Sequence, residues 1–146
     1  MEKTIIGLAS DHAGYPLKEQ VKEWLKDMGY EFVDFGTHST ESCNYPEFAH
    51  ALADAIENGE LTTGIAICGT GNGMAITLNH HPGIRAGLAW NTAIARMVKS
   101  HNDANILVLP ARFVSYRMCQ MMVREWMDTK FEGGRHERRI GKIDLK

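Results

Sequence analysis

The segment Cys68-Gly69-Thr70-Gly71-Asn72-Gly73 concentrates more chemistry than any other in this chain of 146 residues. Glycines at alternate positions let the backbone turn tightly and aim several N–H groups at one spot. The pattern Met74 to Leu78 predicts a short helix directly afterwards, and its amino end adds a positive partial charge. Such a turn can stabilise an oxyanion or hold a phosphate. A cysteine at its mouth is expected to ionise more readily than an ordinary thiol and to be a partial thiolate. The competing reading is a glycine-rich turn beside a buried structural cysteine. Spacing alone leaves the two evenly matched, because buried free cysteine is common.

Several rival motifs fail on single residues. The dinucleotide fingerprint needs glycine at 74, where Met74 stands. A P-loop needs lysine and a hydroxyl residue after its last glycine, where Met74-Ala75 follow. A cysteine phosphatase loop ends in arginine six residues after the cysteine, which is again Met74. No Gly-x-Ser-x-Gly elbow and no His-Glu-x-x-His helix occurs. His80 and His81 are adjacent and cannot share a helical face, so a solvated loop is expected there rather than a metal site.

Other residues have the right types but weaker contexts. Asp11-His12 follows an apolar run and is either an acid/base or hydroxyl-binding pair, or a helix-capping Asp beside an exposed His. His101 ends an apolar helical stripe and precedes Asn102, where a lone histidine is usually a satisfied structural residue. Arg135 and Arg139 are four apart. On a helix they would share a face and could clamp a phosphate; otherwise they belong to a solvated basic tail. Tyr45, before Pro46, serves packing or contacts a ligand.

The elements that must position these residues are legible as periodicity. Five apolar runs stand out: Thr4–Ala9, Glu31–Phe35, Gly64–Cys68, Ile84–Ala89 and Asn105–Leu109. They are short and mostly non-alternating, as strands buried on both faces are. Between them lie helical stripes. Leu17, Val21, Trp24, Leu25 and Met28 form the first, led by Pro16 and closed by Gly29. Phe48, Leu52 and Ile56 form the second, led by Pro46 and closed by Gly59. Ile94, Met97, Val98 and His101 follow, and then Cys119, Met122, Val123 and Trp126 with Ser115 as cap. Strand and helix alternate five times, which predicts an α/β fold: a Rossmann-like three-layer sandwich with a five-stranded parallel sheet and helices on both faces. Ligands in such folds bind beyond the carboxyl ends of the strands. Asp11-His12, the Cys68 loop and Arg112 all follow strands, and His101-Asn102 and the 133–139 tail are expected to join them there.

Composition narrows the class. One domain spanning 1–146 fits the length, with 130–146 as a C-terminal tail. Hydrophobic residues are 44% and charged residues 23%, which excludes disordered, collagen-like and coiled-coil chains. No apolar run approaches the ~20 residues of a membrane span, and no signal peptide is evident. A net charge of −2 argues against a nucleic-acid binder. Three cysteines, Cys43, Cys68 and Cys119, are an odd count and read as free thiols in a reducing cytoplasm.

Taken in order, seven segments resemble the type B ribose-5-phosphate isomerase family, which also contains isomerases of galactose and allose 6-phosphates. They are Ser10-Asp11-His12-Ala13-Gly14, Asp34-Phe35-Gly36-Thr37, Tyr45-Pro46, Ile67-Cys68-Gly69-Thr70-Gly71, Pro82-Gly83-Ile84-Arg85-Ala86, His101-Asn102-Asp103-Ala104-Asn105 and Glu132-Gly133-Gly134-Arg135-His136. The resemblance implies that Cys68 is the base that moves a proton between C1 and C2 of the sugar. Gly69, Thr70, Gly71 and Gly73 would form the loop that holds the enediolate oxygen, Thr70 with a catalytic part. His101 would open the furanose ring, with Asn102 a neighbouring sugar contact. Asp11, His12 and Tyr45 would line the sugar site. Arg112, Arg135 and Arg139 would lie near the phosphate, with His136 close by. It further implies a homodimer or homotetramer with shared sites, no cofactor and no metal. The chain departs from the family pattern at Asn72, at 78–81, at 88–91 and at 108–111.

The expected function is therefore cytoplasmic aldose–ketose isomerisation of ribose 5-phosphate and ribulose 5-phosphate in carbohydrate metabolism. The alternatives are the same reaction on a six-carbon sugar phosphate, or a non-catalytic nucleotide- or sugar-phosphate-binding module.

Overall fold

The computed structural model describes residues 4–144, so residues 145 and 146 of the expected tail lie outside the described residues. The chain order is β1 (Ile5–Ser10), α1 (Tyr15–Asp27), β2 (Glu31–Asp34), α2 (Tyr45–Glu57), β3 (Thr63–Cys68), α3 (Asn72–Leu78), β4 (Ala86–Leu88), α4 (Thr92–Ser100), β5 (Ile106–Pro110), α5 (Tyr116–Asp128) and α6 (Arg135–Ile140). The five strands form one sheet in the order β2-β1-β3-β5-β4, and every pairing is parallel. Each predicted strand is present within a residue or two of its apolar run. The tail after Lys130 adds a short helix, α6, that the weak periodicity there left open.

Side chains of successive strand residues point to opposite faces, and here both faces are buried. Leu8, Ile65, Ile67, Leu107 and Leu109 pack with Leu17, Val21 and Leu25 of α1 and with Cys119, Met122, Val123 and Trp126 of α5. Ala9, Ala66, Cys68, Ile106 and Val108 pack with Leu52 of α2 and with Met74 and Leu78 of α3. Small alanines on the second face leave room for helices to approach the sheet closely. Pro16 and Pro46 lie in the first turns of α1 and α2, and Gly29 and Gly59 follow those helices with φ of 85° and 80°. Ser115 caps α5 by accepting a hydrogen bond from the Met118 N–H. Among the described residues no helix is long and apolar enough to cross a membrane.

One buried charge sits inside this apolar framework. Lys18, wholly enclosed, donates to Asp34 Oδ1 at 2.5 Å and to the carbonyl of Thr37. Asp34 Oδ1 also accepts from the Gly36 N–H at 2.8 Å, and Lys22 reaches Asp34 Oδ2 at 2.6 Å. Gly36 and Thr37 are in turn tied to Ser10: Ser10 N donates to Gly36 O and Thr37 N donates to Ser10 O, both at 2.7 Å. The ion pair thus fixes the chain leaving β2 against the end of β1, one residue before Asp11. Burial pulls the Lys18 ammonium below its ordinary pKa, with Asp34 opposing. Burial would raise the Asp34 carboxyl, but the bonds from Lys18, Lys22 and Gly36 outweigh it and hold the carboxyl below its usual value.

Lys18→Met leaves Asp34 with Lys22 as its remaining lysine partner and removes the buried cation. The expected loss is about 3 kcal/mol, the lower end for breaking a buried pair, read from urea denaturation. Adding Asp34→Asn should recover part of it. Because the folded Asp34 is more acidic than the unfolded one, its contribution is present above about pH 3.9 and is lost as pH falls through the depressed folded value.

Candidate active site

At the carboxyl edge of the sheet, three loops converge. The loop after β3 begins at Cys68, which is buried. Gly71 takes φ +80°, a left-handed conformation that glycine adopts at little cost, and a Cβ there would lie 2.4 Å from Leu88 Cδ1. A Cβ on Gly73 would fall 2.7 Å from the Tyr45 ring, so Tyr45 lies directly over the loop and only hydrogen at residue 73 permits it. The chain after β5 runs alongside: Ala111 N donates to Cys68 O at 2.9 Å and Arg112 N to Gly69 O at 3.0 Å. The Arg112 side chain passes over Gly69. Thr70 is exposed, and its Oγ1 accepts from the Asn72 N–H at 3.2 Å.

The loop after β1 completes this edge. Asp11 is buried, its N–H donates to Ile67 O, and its Oδ1 accepts from the Gly14 N–H at 2.8 Å. Asp11 is thus not the cap of α1, whose N-cap is Gly14 without a side-chain cap bond; its carboxylate closes the turn that precedes the helix. The same bond fixes the turn that presents His12. His12 Nδ1 accepts from the Cys43 N–H at 3.3 Å, and the Cys43 thiol lies 3.8 Å from the same nitrogen. Cys43, read from sequence only as a free thiol, is thus part of the surroundings of His12.

His101 and Asn102 are not at this edge. A helix following a parallel strand returns the chain to the opposite edge, and α4 ends there. Asn105 O accepts from Gly64 N at the start of β3, and Ala104 N donates to Val98 O. Cys68 pairs with Pro110 at the far end of β5, whereas Gly64 pairs with Ile106 at its beginning. The five residues of β5 separate the two edges by roughly 16 Å at ~3.3 Å per residue. The expectation that His101-Asn102 and the 133–139 segment join the Cys68 loop at the carboxyl ends of the strands is corrected by this geometry. Arg135, His136 and Arg139 share the far edge. A cleft of about 320 Å³ there is lined by His101, Asn102, His136 and Arg139, together with Ile140 and Ile143. Arg135 and Arg139 do stand on one turn of helix α6, both exposed, as their spacing implied. The three arginines are therefore divided: Arg112 lies beside Cys68, and the α6 pair beside His101.

The His101 and His136 rings stack, with centroids 4.3 Å apart and planes 12° from parallel. Glu132 Oε2 lies 3.3 Å from His101 Nε2 and 3.5 Å from His136 Nε2. His136 is buried, and that burial lowers its pKa; Arg135 and His101 act in the same direction and Glu132 opposes them. Glu132 was not singled out from sequence, though its place four residues before His136 was the available signal.

His81 also departs from expectation. It is not free in a solvated loop: Nδ1 lies 2.6 Å from Glu57 Oε1, and Nε2 lies 2.7 Å from His50 Nδ1.

The Ribose/Galactose Isomerase family model matches residues 6–143. The chain belongs to this family. Ribose-5-phosphate isomerase B of Escherichia coli is 38% identical over 138 residues, covering 94% of this chain and 93% of that protein. The solved ribose-5-phosphate isomerase B of Clostridium thermocellum is 48% identical, with a TM-score of 0.94 and coverage of 96% and 95% of the two chains. That of Mycoplasma genitalium, solved with bound ribulose-5-phosphate, is 37% identical, with a TM-score of 0.92 and coverage of 98% and 95%. The five-stranded parallel α/β fold read from periodicity is the fold of these ribose-5-phosphate isomerase B structures.

Within this family fold the three thiols differ. Cys119 is fully enclosed between α5 and the sheet, and burial pushes its pKa up to about 11. At pH 8, an aromatic disulfide reagent is expected to titrate Cys43 and to leave Cys119 untouched until denaturant is added. Mass mapping of the labelled thiols reads the result.

Proposed function

We propose that the protein interconverts ribose 5-phosphate and ribulose 5-phosphate through an enediolate, in active sites that each need two copies of the chain. One observation carries this reading. Cys68 with its glycine loop and His101 with Arg135 and Arg139 stand at opposite edges of one rigid sheet. No rotamer change spans that separation, so a second copy must supply the half that the first cannot reach. A homodimer is the smallest assembly that does so, and an isologous contact builds two equal sites.

The chemistry follows from the residues of the two halves. Ring opening requires a proton to leave the anomeric hydroxyl and another to reach the ring oxygen; the imidazole of His101, with one nitrogen that accepts and one that donates, can serve both transfers. The opened aldose has a C2 hydrogen made acidic by the neighbouring carbonyl. The Cys68 thiolate removes it and returns it to C1. Thr70 moves the hydroxyl proton between O1 and O2. The amides of Gly69, Gly71 and Gly73 meet the charge that develops on oxygen, an effect typically worth about 3–4 kcal/mol of barrier per donor. Asp11, His12, Tyr45 and Asn102 contact the sugar hydroxyls. Guanidinium groups of Arg112, Arg135 and Arg139 take the phosphate, and bidentate geometry makes them efficient at it.

Cys68→Ala and His101→Asn should each be inactive on ribose 5-phosphate while keeping the fold. Mixed and refolded together in equal amounts, they are expected to regain about a quarter of wild-type activity, because half of the dimers then carry one intact site of two. With both single variants inactive, no recovery on mixing would mean that the two residues serve one site within one chain.

The arginines make a separate prediction. Arg135→Ala and Arg139→Ala should each raise KM for ribose 5-phosphate by the equivalent of about 1.5–3 kcal/mol, the range for a hydrogen bond to a charged group. Their kcat/KM for unphosphorylated ribose should stay at the low wild-type level. An unchanged preference for the phosphorylated sugar in the double variant would mean that the phosphate is held elsewhere.

A further inference from the structure

The Glu132 carboxylate faces both imidazoles through one oxygen. A carboxylate only accepts hydrogen bonds, so the nitrogens turned toward it are favoured as N–H rather than as lone pairs. Both are Nε2 atoms, of His101 at 3.3 Å and of His136 at 3.5 Å. Backbone bonds anchor the main chain of Glu132 beside His101. The Glu132 N–H donates to Ser100 O at 2.9 Å, the carbonyl just before His101, and His101 N donates to Met97 O at the same distance. Gly133 and Gly134, with φ of 74° and 59°, then turn the chain so that α6 lays His136 over His101. His136 Nε2 is buried without a hydrogen-bond partner. Its ring makes a flat wall that limits how far His101 can swing.

We propose that Glu132 is a positioning residue whose Oε2 keeps the hydrogen of His101 on Nε2, presenting Nδ1 as the acceptor for the anomeric hydroxyl of the sugar. This rests on the isomerase reading above. Carboxylates that orient metal-ligating histidines typically matter by one to two orders of magnitude, and a comparable scale is expected for a histidine that moves protons. Burial pulls the His136 imidazole below its ordinary pKa, and the ring stacks on that of His101.

The test uses full-length Glu132→Ala and Glu132→Gln. Nitrogen-15 shifts of the imidazole rings report the tautomer directly. The kinetic readout is the ratio of kcat/KM on ribose 5-phosphate to that on erythrose 4-phosphate, an aldose that cannot close a furanose ring because its O4 is esterified. In wild type, His101 should carry its hydrogen on Nε2. In Glu132→Ala the tautomers should mix, and the ratio should fall on the order of 10–100-fold, with KM for ribose 5-phosphate little changed. In Glu132→Gln the side-chain carbonyl can still accept, so the Nε2–H signal and most of the ratio should return. Wild-type tautomers and an unchanged ratio in Glu132→Ala would overturn the assignment. So would a Glu132→Gln protein as impaired as the alanine variant with its tautomers intact, since that result reports a structural role. If the tautomer responds as described but wild type turns over neither sugar, the positioning stands and the isomerase reading fails.

Discussion

All five strands run the same way, so the two edges of the sheet are chemically different places. Every loop that leaves a strand emerges at one edge, and every helix brings the chain back to the other. Residues that follow strands, such as Asp11, Cys68 and Arg112, are gathered without further instruction. Residues that end helices, such as His101, are gathered just as surely at the opposite side. The architecture therefore makes two good clusters and keeps them apart by the length of the strands. The reading of function as a reaction shared between copies comes from that polarity more than from any individual contact.

Rigidity at the Cys68 edge depends on polar groups buried near it. Lys18 has its charge enclosed among Asp34 and the Thr37 carbonyl, and those bonds lock the segment after β2 onto Ser10. A buried pair of this kind is weak as a source of stability, because desolvation offsets most of the attraction. Its value here is geometric: the loop carrying Asp11 and His12 starts from a fixed point. At the other edge the same economy is achieved by backbone ties from Glu132 to Ser100 and by the stack of two imidazoles.

Most of the elements were legible in the sequence because strand burial and helix stripes leave strong periodic traces. Proline and glycine punctuation at Pro16, Gly29, Pro46 and Gly59 marked the ends of α1 and α2 well. Neighbour relations were not legible, since periodicity identifies a strand without naming what it pairs with. The shared edge assumed for Cys68 and His101 failed for a reason available beforehand: a helix after a parallel strand must end at the amino edge. Lys18 gave no signal, because lysine in an amphipathic helix ordinarily reads as solvated, and only the fold reveals that its partners lie beneath it. Glu132 was hidden in a tail whose periodicity was weak. Gly73 and Tyr45, twenty-eight positions apart, show what pattern reading omits, because the need for glycine at 73 arises from a ring carried by another helix.

The borders of the sheet have a consequence for solubility. β2 at one border has four residues and β4 at the other has three. An unpaired strand edge is a template on which other chains can add strands and aggregate, and short edges are one way in which proteins blunt that risk. Glu31 places a carboxylate on the β2 border as well. Neither border offers enough open backbone to continue the sheet into another molecule. A contact between copies, as the proposed shared sites require, would then run through helices and loops, where side-chain shape and charge, rather than generic backbone bonding, decide which surface fits.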